Sequence, residues 1–155
     1  MRHTVYVLIG VCSTWGLALS AATGGIATEP MSRTLFDFSE ASVAREWRSV
    51  NDGVMGGVSE GGFRITEDKT LAFSGNLSLE NRGGFTSIRA RPADLNLGGY
   101  DRVALRLKGD GRTYYVNLMT SPQSAASYRA PIKTRKDTWE DIGVDMKDFV
   151  YTSYG

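Results

Sequence analysis

The segment NDGVMGGVSEGG, residues 51–62, sets two carboxylates, Asp52 and Glu60, among five glycines. Two carboxyl groups held about 5–10 Å apart across a glycosidic bond are enough to hydrolyse it. Asp110, Asp141 and Asp145 are further candidates for such a pair. None of these acids lies in a motif that separates it from an ordinary solvated surface acid. Other chemistry is restricted by what the chain lacks. His3 is the only histidine and Cys12 the only cysteine. Both fall in an N-terminal apolar segment that reads as removable. The domain left behind would have no Ser-His-Asp triad, no thiolate nucleophile and no usual general base near neutral pH. It would also lack the ligands that zinc prefers, and it could form no internal disulfide. No catalytic residue, metal ligand or cofactor is therefore assigned, and the expectation is a non-enzyme.

The glycine loop supports three readings. In the first, Asn51, Asp52 and Gly53 form a tight turn with positive φ, and Gly56 and Gly57 allow a second turn or close backbone packing. Met55 would then plug the core beneath, as methionine fills irregular gaps. In the second, the same residues contact a ligand or partner, because glycine lets one approach the backbone closely. The third, a phosphate cradle, fails: no Lys follows the glycines and the G-x-G-x-x-G spacing is absent. NRGG (Asn81 to Gly84) and GDGR (Gly109 to Arg112) read as hairpin turns, with Asp110 and Arg112 close enough for a weak ion pair. The candidate set for ligand or partner binding is Asn51, Asp52, Gly53, Met55, Gly56, Gly57, Arg89, Asp110 and Arg112. Arg89, Arg91, Arg106 and Lys108 would make a basic strip if their strands paired.

At 155 residues with 41% hydrophobic and 23% charged residues, the chain has the bulk for one globular domain. Its net charge of +1 gives no electrostatic case for nucleic-acid binding. Residues 1–22 differ from the rest: Arg2 and His3 precede VYVLIGVCSTWGLALSAA, which ends in small residues. A basic start, an apolar middle and a small-residue end mark an export signal. Ser13, Thr14 and Gly16 interrupt the apolar run, which favours cleavage between about residues 18 and 27 over a lasting membrane span. The expected product is an exported, periplasmic domain over residues 31–155. Translation from Met31 would instead give a cytoplasmic one.

The elements that must position these residues are mostly strands. SEASVAREW (Ser39 to Trp47) reads as one short helix capped by Ser39. Around it, RTLFDF, FRI, LAFSG, FTSIRAR, RVALRLKG, TYYVNLMT, SYRAPIKT and TWEDIGVDM read as strands between Gly- and Asp-rich turns. Val103, Leu105 and Leu107 alternate with Ala104, Arg106 and Lys108, the pattern of a strand buried on one face. Tyr114, Val116 and Leu118, and then Tyr128, Ala130 and Ile132, repeat it. Pro131 should lie at a sheet edge or a bulge. Short strands at regular spacing predict an antiparallel sandwich rather than a βαβ fold.

NDGVMGGVSEG, FSGNLSLENRGGFTSIR, LNLGGYDRVALRLKGDGRTYYVNLMT, Trp139 and KDF follow one another over about residues 34–150. In order and spacing these blocks resemble the complex I intermediate-associated protein 30 family. The resemblance implies an all-β, galactose-binding-like jelly roll with one short N-terminal helix. It implies a non-catalytic role: eukaryotic members help assemble NADH:ubiquinone oxidoreductase, and the expectation here is a chaperone-like interaction module that resembles those assembly factors and binds a protein partner. It also implies a further strand beyond KDF, so either the sequence is truncated or this sandwich lacks its last strand. Two alternatives remain open. One is a carbohydrate-binding module, for which Trp47, Tyr128 and Trp139 are the aromatics to inspect. The other is a carboxylate-dependent glycosidase or lyase, which requires two of the acids to converge in a cleft.

Overall fold

Strands account for most of the described residues, as the period-two patterns require. A computed structural model describes residues 3–12, 32–120 and 126–153, the first of these through backbone pairing alone. The expected cleavage window and Met31 lie outside the described residues. The strands are β1 (His3–Cys12), β2 (Ser32–Phe36), β3 (Trp47–Asn51), β4 (Glu60–Ile65), β5 (Leu71–Asn76) and β6 (Thr86–Ala90). They continue with β7 (Arg102–Lys108), β8 (Thr113–Leu118), β9 (Ala126–Lys133), β10 (Trp139–Asp145) and β11 (Val150–Ser153). All named pairs are antiparallel. The largest sheet runs β10-β7-β1-β5-β4, with β2 also on β1; β11-β9-β8 and β3-β6 form two smaller sheets.

The core lies between the large sheet and β8-β9-β11. Val103, Leu105 and Leu107 on β7 and Val144 on β10 meet Ala130 and Ile132 on β9, with Phe149 beside them. Val116, Leu118 and Ile142 pack against this cluster. The alternation in RVALRLK therefore has its expected result: the odd positions are buried and Arg106 faces solvent. The arrangement is an all-β sandwich, and a galactose-binding-like fold is compatible with it.

A second apolar centre lies near the start of β3. Trp47 packs edge-on against Phe36, with ring centroids 5.0 Å apart, and tilted against Phe38 at 5.7 Å. Phe38 is fully buried at φ 54°, a left-handed conformation that costs an aromatic residue about 1–2 kcal/mol. Full burial of a Phe side chain contributes about 1.5–3 kcal/mol and offsets that strain.

Several local expectations are corrected. The helix is a six-residue 3₁₀ segment, Ala41–Glu46, with Glu40 before it and no side-chain cap. Ser39 instead donates through both its N–H and its hydroxyl to Asp37. NRGG and GDGR are not hairpin turns. The strands flanking NRGG pair elsewhere, β5 with β1 and β4, and β6 with β3. GDGR carries the chain from the large sheet to the small one, since β7 pairs with β1 and β10 while β8 pairs with β9. Pro131 does lie where β9 is open on one side, because β11 reaches only as far as Arg129. Tyr128 follows the inward pattern of its strand, yet it stands exposed against Tyr151.

Candidate functional site

Asp52 is the polar centre of the glycine loop, and it is fully buried. The chain leaves β3 at Asn51 and turns through a short 3₁₀ segment, Asp52–Met55, that places the carboxylate inward. Its Oδ1 accepts the Ser59 N–H at 2.8 Å. Its Oδ2 accepts the Gly84 N–H at 2.6 Å and the Phe85 N–H at 3.3 Å. One side chain thus ties loop 51–62 to the segment that leads into β6. The surroundings hold the carboxyl pKa down at about 2, from 3.8. The Ser59 hydroxyl has the largest effect; burial opposes it, and the N–H groups of Gly84, Ser59 and Phe85 add to it. A buried carboxylate with several N–H donors is stabilised in its charged form.

Neighbouring residues complete the joint. Asn51 Nδ2 donates to the Gly61 carbonyl at 3.2 Å, and the Thr86 hydroxyl donates to Asn51 Oδ1. The Ser59 hydroxyl oxygen accepts the Ser78 N–H at 3.0 Å and lies 3.2 Å from the Ser78 carbonyl. The glycines divide by physical role. Gly56 sits at φ 89°, in the left-handed region that favours glycine. A Cβ on Gly57 would collide with the Asp52 side chain, so Gly57 is required for close approach. Gly53 has open space around its Cβ position.

Above this polar joint the loops expose aliphatic side chains. Val54 is 76% exposed, Met55 66% and Leu79 84%, and Val58 and Leu77 are about half exposed. Val58 adjoins Ser59, and Leu77 and Leu79 flank Ser78, so the Ser59–Ser78 contacts bring the two sets together. Met55 therefore does not plug the core: its short 3₁₀ turn directs Asp52 inward and Met55 outward.

The other sequence-derived residues lie elsewhere. Arg89 is on β6 opposite Arg48, with its Nε 3.4 Å from the Ser87 hydroxyl. Asp110 and Arg112 sit on the crossover between β7 and β8 with 3.7 Å between Nε and Oδ2. Asp110 also accepts the Tyr114 hydroxyl at 2.9 Å; burial and this carboxylate both raise the Tyr114 pKa. The basic strip does not assemble, because β6 and β7 do not pair, and Arg106 reaches Asp141 at 3.4 Å.

The candidate acids are dispersed over different partners. Asp145 accepts Arg102 Nε at 2.7 Å, and this hydrogen bond chiefly lowers its pKa. Asp52 is enclosed and Asp141 pairs with Arg106. Among the aromatics, Trp47 is packed between two phenylalanines, whereas Tyr128 and Trp139 are exposed on strands of different sheets. What the sequence reading missed is the aliphatic group Val54, Val58, Leu77 and Leu79. Its signal was available: large apolar residues inside Gly-, Ser- and Asn-rich loops, with no period to carry them into a core.

The family model for Complex I intermediate-associated protein 30 (CIA30) matches residues 36–155. That span contains the glycine loop, the Asp52 joint and the sandwich core. No curated protein matches the chain.

Proposed function

From the premise that the chain belongs to the Complex I intermediate-associated protein 30 family, whose domains are assembly-related, we propose that it is a non-catalytic interaction module that binds a protein partner. The observation that carries this reading is the contrast within the glycine-loop region. Its buried acid, Asp52, is consumed by structural hydrogen bonds, while Val54, Met55, Val58, Leu77 and Leu79 remain exposed. Exposed aliphatic groups on an internally pinned surface are a mark of protein docking. The leader-like pattern of residues 1–22 supports an exported location for the module.

Affinity capture from native envelope extracts tests the docking surface. The wild-type chain and a Val54→Ser/Leu79→Ser variant are compared, with a glycan array run in parallel. The expected result is a specific protein retained by the wild type and lost by the variant at unchanged thermal stability. Equal retention by both proteins, or specific binding to a glycan alone, would contradict the reading.

A further inference from the structure

The large sheet places an unexpected segment near its centre. β1, residues 3–12, runs antiparallel to β7 on one side and to β5 and then β2 on the other. Its register is closely matched to the core rows. Val5 pairs with Phe73, and Val7 pairs with both Leu71 and Leu107. Ile9 pairs with Leu105 and Val11 with Val103. Leu71, Val103, Leu105 and Leu107 are almost fully buried in this arrangement. Directly paired residues of an antiparallel sheet share a face. Positions 5, 7, 9 and 11 are therefore in register with those rows of β5 and β7.

These are the same residues that read as a removable leader. Without them, β7 would face β5, and further along β2, across about twice the ordinary spacing of 4.8 Å between strands. Each would present an open ladder of N–H and C=O groups. The rows of Leu71, Leu105 and Leu107 would lose their neighbour. Such a slot matches an extended strand of about ten residues, antiparallel to both walls and apolar at alternate positions. Main-chain hydrogen bonds on both sides would supply affinity, and the alternate side-chain rows would supply register.

We propose that the gap between β7 on one side and β5 and β2 on the other is a strand-acceptor site. Residues 3–12 fill it in the uncut chain, and an alternately apolar strand from a partner polypeptide fills it after the leader is removed. This surface is separate from the loop-end docking surface, and it gains its biological setting from the export reading. N-terminal sequencing of the native protein decides processing on its own, so failure of export and failure of strand uptake are distinguishable.

The test starts from the full chain, folded, with a protease site introduced within residues 23–30 and then cut. A labelled peptide with the sequence of residues 3–12, carrying Cys12→Ser, is added in excess. A second peptide also carries Val7→Pro, which removes a ladder donor at the residue that pairs with both walls. The expected result is replacement of the cut segment by one labelled peptide per chain. Uptake of the proline peptide should be about tenfold weaker or less. The occupied chain should unfold at a higher temperature than the stripped one. Loss of the cut segment with an unchanged unfolding transition and no peptide uptake would overturn the proposal. Dimers of the stripped chain that exclude the peptide would also overturn it, by making a second copy the occupant.

Discussion

Asp52 and Asp110 each precede or follow glycine in a short turn, yet the protein uses them differently. Asp52 is fully buried, accepts three backbone N–H groups and joins two segments distant in sequence. Asp110 bonds near neighbours in sequence: it accepts the Arg112 N–H at 3.2 Å and the Tyr114 hydroxyl, and lies 3.7 Å from the Arg112 guanidinium. An Asp-Gly pair thus marks a turn in both places, and the surroundings decide whether the acid becomes a joint or a local tie. At Asp52 the inward acid leaves Val54 and Met55 on the outside, which links packing directly to the proposed docking surface.

The largest expected effect comes from breaking the joint. Asp52→Ala removes the acceptor of three N–H groups, and each buried amide left without a partner costs about 1–3 kcal/mol. Thermal unfolding should show the greatest loss here among single substitutions in the two turns. The same joint should respond to acid. Its carboxyl pKa is lowered to about 2 in the folded chain, so its stabilising contribution is complete above about 3.8. That contribution is lost as pH falls from about 3.8 through about 2. Acid unfolding of the wild type should be steeper in this window than that of Asp52→Asn.

Gly57→Ala should follow in size, because its Cβ meets the Asp52 carboxylate. Overpacking of this kind costs about 1–3 kcal/mol, measurable by denaturant unfolding. Asp110→Asn should cost about 0–1 kcal/mol, since its ion pair with the half-exposed Arg112 is long. A loss as large as that of Asp52→Ala would erase the contrast between the two acids. Leu79→Ser and Gly53→Ala should each change stability by no more than about 0.5 kcal/mol. Of the two, only Leu79→Ser should weaken partner capture.

Much of the sheet structure was legible because alternation survives in the strands that build the core. Val103, Leu105 and Leu107 announce an inward face, and they are buried as their spacing requires. β3 and β11 were not legible: WRSVN and VYTS carry no alternation of apolar and polar positions. The 3₁₀ segment 41–46 imitates a capped helix because local polar residues satisfy both patterns. At the candidate site, the five glycines were visible but their roles were not. Gly57 is fixed by proximity to Asp52, and Asp52 by Gly84 and Phe85, more than thirty positions away along the chain. Such partnerships follow from how the loops meet, which no local spacing encodes. β1 poses the same problem in another form, since an apolar ten-residue run satisfies both a leader and a buried strand.

Asp52 is an ionised structural joint rather than a reactive acid. Carboxyl-carbon NMR of the folded protein, followed through an acid titration and assigned with Asp52→Asn, measures this directly. The expected result is a resonance that titrates near pH 2, well below the ordinary value of 3.8. Titration at or above 3.8 would contradict the hydrogen-bonded joint and return Asp52 to the pool of candidate catalytic acids.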